Sequence, residues 1–181
     1  MQTPQQQEQR GFSLIEFLVA LAVVAIVLGV GVPAFSNAAA NGRMSGATND
    51  LVASVRAAHS AAVMRRLPVA LCPTPDGAGD CVDGGNLALG WTVFVDRDDD
   101  GAIDEGDDIL QRHGALPADL RDGLRTSAGR LAFAGTGSLR RDAGAPESDY
   151  NIQLCDGRGD ADTGGGIAAG RLIQLSALGR Q

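Results

Sequence analysis

The chain has 181 residues, with 22 acidic and 15 basic side chains besides two histidines, and a formal net charge of −7. Once a long N-terminal segment is set aside, that length leaves a single modest domain, and the acidic balance opposes nonspecific nucleic-acid binding by the surface as a whole. The 25 glycines are about twice the usual ~7% share, so the domain is expected to be rich in turns.

Residues 1–11 form a polar, Gln-rich leader in which Glu8 and Arg10 cancel. Residues 12–33 follow as an apolar segment, and from Phe12 to Val32 its one charge is Glu16. As a helix rising ~1.5 Å per residue this segment would be ~30 Å long, enough to cross a bilayer core. A carboxylate in that setting costs ~2.5–3.5 kcal/mol on insertion scales, so Glu16 reads as functional, with a partner to be named. That partner is expected to be the α-amino group of Phe12 on a neighbouring copy or related subunit, freed by cleavage after Gly11. Three plainer readings explain less. A secretory signal cut near Ala38-Ala39-Ala40 would have a shorter apolar region, ~7–15 residues, with no acid inside it. A plain membrane anchor leaves Glu16 unexplained, and so long an apolar run is unusual for a buried helix of a soluble protein.

Residues 34–66 continue the helix. Pro33 is expected to bend it, because proline removes a backbone donor and clashes with the preceding turn, and Asn41-Gly42 and Gly46 are expected to weaken it further. Leu51, Val55, Ala58 and Ala62 recur at helical spacing, with Arg56, Arg65 and Arg66 elsewhere. The pattern predicts an amphipathic half whose small apolar stripe lets a sheet approach closely.

Residues 67–181 read as a β-rich head. Strands are expected at 69–72 and 91–95, with 109–111 as hairpin partner of the latter, and then at 120–126, 130–133, 150–155 and 171–175. Turn-forming stretches separate most of them. One helix followed by a run of strands implies an α+β fold with the helix packed on an antiparallel sheet.

Three cysteines, Cys72, Cys81 and Cys155, allow one bridge and leave one over. The membrane segment would put the head outside the cytoplasm, where disulfides persist. Cys72 and Cys81 are nearest in sequence, and Pro73, Pro75, Gly77 and Gly79 make the chain between them a bending loop, so that pair is favoured. Zinc is the alternative, against which stand the lack of a Cys-x-x-Cys and the presence of only His59 and His113 as further ligands.

Within residues 96–107, Asp96, Asp98 and Asp100 alternate, Gly101 permits a sharp turn, Ile103 is apolar, and Asp104 and Asp107 fall where a helix–loop–helix calcium loop places ligands. The last position is Asp rather than the longer Glu, and the flanks read as strands. The favoured reading is therefore an acidic hairpin loop without metal, and no cofactor is expected. Nothing in the sequence sets a Ser or Cys beside His59 or His113 as a catalytic pair. Arg158-Gly159-Asp160 matches an adhesion tripeptide, but a Gly/Asp-rich loop yields that by chance.

Gly11-Phe12-Ser13-Leu14-Ile15-Glu16, with the apolar run and Pro33 at its end, resembles the N-terminus of type IV prepilins and type II secretion pseudopilins. The resemblance implies cleavage between Gly11 and Phe12 by a prepilin peptidase, methylation of the new amino terminus on Phe12, and a part for Glu16 in assembly. Further on, Cys72 precedes a Pro/Gly loop, then come Gly90-Trp91, Val93-Phe94 and Asp96, Asp107-Asp108-Ile109-Leu110, Phe133 with Gly135 to Gly137, Leu154-Cys155, and Leu175-Ser176 with Gly179-Arg180. Their order resembles the GspH/FimT group of minor pilins and pseudopilins. That resemblance implies a type IV pilin-like α+β fold and a structural, non-enzymatic subunit of a type IV pilus or a type II secretion pseudopilus. It also implies a single pass through the inner membrane with the head in the periplasm, a place near the filament tip, and as partners prepilin peptidase, other pilins or pseudopilins and membrane lipid. DNA-uptake members of the group carry a C-terminal Gly-Arg-x-Arg element. Here the chain reads Gly179-Arg180-Gln181, without the second Arg, so DNA capture at a pilus tip is the second-ranked function. Its candidate contacts are Arg171 and Arg180, with Arg140-Arg141 as a separate basic pair.

Overall fold

The computed structural model describes residues 13–82, 86–121, 124–126, 129–140, 150–158 and 170–176. Two compact units emerge, Met1–Ala39 and Ala40–Gln181. Helix α1 (Leu14–Arg65) runs unbroken through positions 33, 41–42 and 46, where interruptions are expected from the sequence. An interior glycine costs about 1 kcal/mol and a proline about 3 kcal/mol, and the long runs of Ala, Leu and Val in α1 carry the helix past each.

In the first unit the described side chains of α1 up to residue 36 are exposed, and α1 is long and apolar enough there to cross a membrane. In the second unit Met44, Ala47, Leu51, Val55, Ala58 and Ala62 are buried at spacings of three and four, which is one face of a helix. Arg66 leaves the helix in the left-handed conformation (φ 55°), and Leu67-Pro68 then begins extended chain.

Strand β1 (Val69–Pro73) is central in a five-stranded antiparallel sheet of order β3-β2-β1-β5-β6, formed with β2 (Trp91–Val95), β3 (Asp108–His113), β5 (Leu131–Phe133) and β6 (Leu139–Arg140). β4 (Leu124–Thr126), β7 (Tyr150–Leu154) and β8 (Arg171–Leu175) make a second sheet of order β4-β7-β8. Alternation sorts the side chains. Val69 and Leu71 of β1, Trp91, Val93 and Val95 of β2, and Leu131 and Phe133 of β5 join the buried stripe of α1 in one core. The second sheet adds Tyr150, Ile152, Leu154, Ile173 and Leu175 to it. On the other face of the first sheet, Ala70, Cys72 and Phe94 form a smaller cluster with Cys81, Ile103 and Ala132 packed against it. Burying Trp91, Phe133 and the Met44, Leu51 and Val55 side chains of α1 is what fixes the head, each of the large side chains worth roughly 1.5–3 kcal/mol.

The α+β class stands, with a helix on antiparallel strands, but two details differ from the sequence reading. Residues 120–126 are not one strand: Pro117 starts a short helix α2 (Ala118–Arg121), and β4 follows. Leu120 N–H bonds to the Pro117 carbonyl at 2.9 Å, and the Leu120 side chain is fully buried, so its apolarity serves a helical turn. β6 is two residues long, below what periodicity can reveal.

Candidate functional site

The apolar segment and its acid come first. Glu16 lies in the first turn of α1, where the Phe17 N–H bonds to the Ser13 carbonyl at 3.1 Å. A carboxylate there is favoured by the partial positive charge of the helix N-terminus. Glu16 is exposed, and Leu14, Ile15, Phe17, Leu18 and Val19 around it are each more than half exposed. An apolar surface of this kind with one carboxylate can bury itself in lipid or against like helices, and the acid then needs a cation. Gly11 and Phe12, the sites expected for cleavage and methylation, lie outside the described residues.

In the head, Cys72 and Cys81 form a disulfide with their Cα atoms 5.5 Å apart, and Cys155 is a free, half-buried thiol. The bend between the paired cysteines needs glycine at its foot. Gly90 sits at φ +119°, and a Cβ on it would lie 2.6 Å from the Gly77 nitrogen. Two polar anchors were not visible in the sequence. The buried Trp91 Nε1–H donates to Ser54 Oγ at 3.0 Å, and Ser54 Oγ in turn donates to the Asp50 carbonyl at 2.9 Å. The Trp91 ring stacks on His113 with centroids 3.8 Å apart. The second anchor is Arg158, which donates to both carboxylate oxygens of Asp156 and, at 3.0 Å, to Asn41 Oδ1 on the helix. The Arg158 hydrogen bond holds the Asp156 carboxyl below its ordinary range. The rest of the adhesion-like tripeptide, Gly159 and Asp160, lies outside the described residues.

Residues 96–107 join β2 to β3. Burial, and after it the charge of Asp107, raises the Asp96 carboxyl above its ordinary value. The histidines have structural neighbours. His59 meets Phe133 edge-on, and His113 lies under Trp91, 3.5 Å from Asp50. Of the residues considered for DNA, Arg140 forms an ion pair with Asp99, Arg171 donates to the Gly170 carbonyl at 3.0 Å, and Arg141 and Arg180 lie outside the described residues.

A long N-terminal helix, apolar and exposed at first and then packed on antiparallel strands, defines a type IV pilin-like protein. The family description for type II transport protein GspH matches residues 47–179, and that for the prokaryotic N-terminal methylation motif matches residues 7–32. The chain belongs to the GspH family and carries the methylation motif. No curated protein matches it. Its fold is similar to the crystal structure of the type IV minor pilin FimU of Pseudomonas aeruginosa strain PAO1, at 20% identity over 77% of this chain and 87% of that one, with a TM-score of 0.51. A second crystal form of FimU matches at 19% identity over 75% and 88% of the two chains, with a TM-score of 0.48. Family and fold are those of structural subunits, not enzymes.

Proposed function

We propose that this protein is a minor subunit of a type IV pilus or a type II secretion pseudopilus. It is inserted in the inner membrane by residues 12–33 with its head in the periplasm, cut between Gly11 and Phe12, and methylated on Phe12 by prepilin peptidase. The observation that carries the reading is the exposed apolar start of α1 with Glu16 as its one acid. In hydrocarbon that charge is stable only beside a cation, and the amino terminus of an adjacent subunit supplies one. The alternative of a signal sequence loses support because residues 38–40 lie within the unbroken helix α1. Partners then follow as the peptidase, other pilins or pseudopilins through their own apolar helices, and membrane lipid. Capture of DNA is the weaker reading, because Arg140 is already paired with Asp99 and the head is acidic.

Mass spectrometry of the protein recovered from membranes tests processing. The expected mature chain begins with methylated Phe12. A terminus near Asn41 instead would replace this reading with an ordinary exported protein.

A further inference from the structure

The hairpin loop between β2 and β3 holds a buried oxygen with no partner. Asp96 is only 3% exposed. Its Oδ2 accepts the Gly101 N–H at 3.0 Å, while its Oδ1 has no hydrogen-bond partner among the described residues. Buried carboxylate oxygens are almost always satisfied, because leaving one bare forfeits its hydration without return. Carboxylate oxygens of Asp96, Asp98 and Asp107 all lie within 4.8 Å of one another, and those of Asp98, Asp100 and Asp104 form a second such group that shares Asp98. With calcium–oxygen bonds of ~2.3–2.6 Å, oxygens bound to one ion stand up to ~5 Å apart.

We infer that residues 96–107 form a calcium site, with Asp96, Asp98 and Asp107 as its core ligands and Asp100 or Asp104 completing the shell. Asp96 supplies the buried end of the site. Asp107 keeps lone pairs for a metal after accepting the Arg97 N–H at 3.0 Å. Arg97 and Arg140 pair outside the two groups, with Asp108 and Asp99, and Arg130 donates to the backbone carbonyl of Asp100 at 3.5 Å, not to its carboxylate. The five carboxylates of these two groups repel each other, and a divalent ion removes that repulsion and satisfies Asp96 Oδ1 together. The smaller Mg²⁺ demands near-octahedral geometry at ~2.0–2.1 Å and sheds water reluctantly, so an all-carboxylate loop of this reach selects calcium. The sequence reading ranks the loop as a solvated hairpin. The burial of Asp96 is the observation that changes the ranking, and it is independent of how the subunit assembles.

The test uses the full-length chain in detergent micelles, stripped with chelator. Equilibrium dialysis against radioactive calcium is expected to show one ion bound per chain with a dissociation constant of ~10⁻⁴–10⁻³ M, the range of extracellular modules. Tenfold saturation should raise the melting temperature by about 3–6 °C, with magnesium giving little. Asp98→Asn, at an exposed position, should melt as the parent does without calcium and lose both the binding and the rise. Asp104→Asn should weaken them, and Asp80→Asn, outside the loop, should keep them. No calcium retained at about 5 mM, an equal response to magnesium, or undiminished binding by Asp98→Asn would each overturn the assignment and leave the loop a hairpin with a diffuse counterion cloud.

Discussion

Glu16 is the residue on which the proposed assembly depends most directly. Replacing it with Val removes the one charge from the apolar segment, so membrane insertion should be kept or improved, by up to the ~2.5–3.5 kcal/mol that a central carboxylate costs. On the proposed pairing, incorporation into filaments should fall sharply, because the neighbouring amino terminus would lose its counter-charge. Membrane fractionation and filament immunoblots read the two effects apart, and wild-type incorporation by Glu16→Val would refute the pairing. Asp156 offers a test in the head. Its folded-state carboxyl is lowered by Arg158. Its stabilisation is therefore present above the unfolded carboxylate value of ~3.9 and is lost as pH falls through the lower folded value. Asp156→Asn should cost stability at neutral pH and flatten the loss of stability in acid, seen as a smaller difference in melting temperature between pH 7 and pH 3 than the parent shows. Neither Asp156–Arg158–Asn41 nor Trp91–Ser54 was legible in the sequence. The partners are up to 117 positions apart, and only the packing of strands on α1 brings them together.

Among the elements, legibility followed length and composition. The run of β2, buried on both faces, announced itself by its aromatic and β-branched composition, and the stripe of α1 by its spacing, since burial on one face writes a period into a helix. The division of the strands into two sheets did not, because alternation says which face is buried and not which strand is the neighbour. The 120–126 stretch misled because Leu120 and Leu124 suit either a turn of helix or a strand. The bridge between Cys72 and Cys81 was readable from proximity and the turn residues between them, and it now has a place: it ties the chain after β1 to the back of the first sheet, where Phe94 and Ile103 pack. Closing so short a loop should stabilise the head by ~2–3 kcal/mol in the chain-entropy description. Cys72→Ala with Cys81→Ala should thus lower the melting temperature, while Cys155→Ala changes it little. Peptide mapping without reduction that linked Cys155 to either partner would contradict this arrangement.

At the scale of the molecule, the net charge of −7 sets what the surface meets. Phosphate contacts need several cations acting together, and their contribution falls steeply with salt. The intact protein in micelles should bind duplex DNA weakly at physiological salt, and Arg171→Ala or Arg180→Ala should change that little. Tight, salt-sensitive binding lost on replacing both arginines would bring the uptake reading to the front. The division of labour within one helix was legible from the start, because an apolar run without polar faces and a stripe with them differ in composition alone. What the acid of the first half meets was not, since its proposed partner belongs to another molecule.

The stack of Trp91 on His113 has a practical consequence. Trp91 is the single tryptophan of the chain, and it is fully buried where α1, β2 and β3 meet. Indole fluorescence from the intact protein therefore originates at one point in the head. The apolar unit, which holds no indole, stays dark in whatever detergent or lipid surrounds it. A blue-shifted emission, damped by the imidazole face against it, marks the closed head. A red shift on opening would follow that event alone, which makes the chain its own optical gauge of the head's integrity.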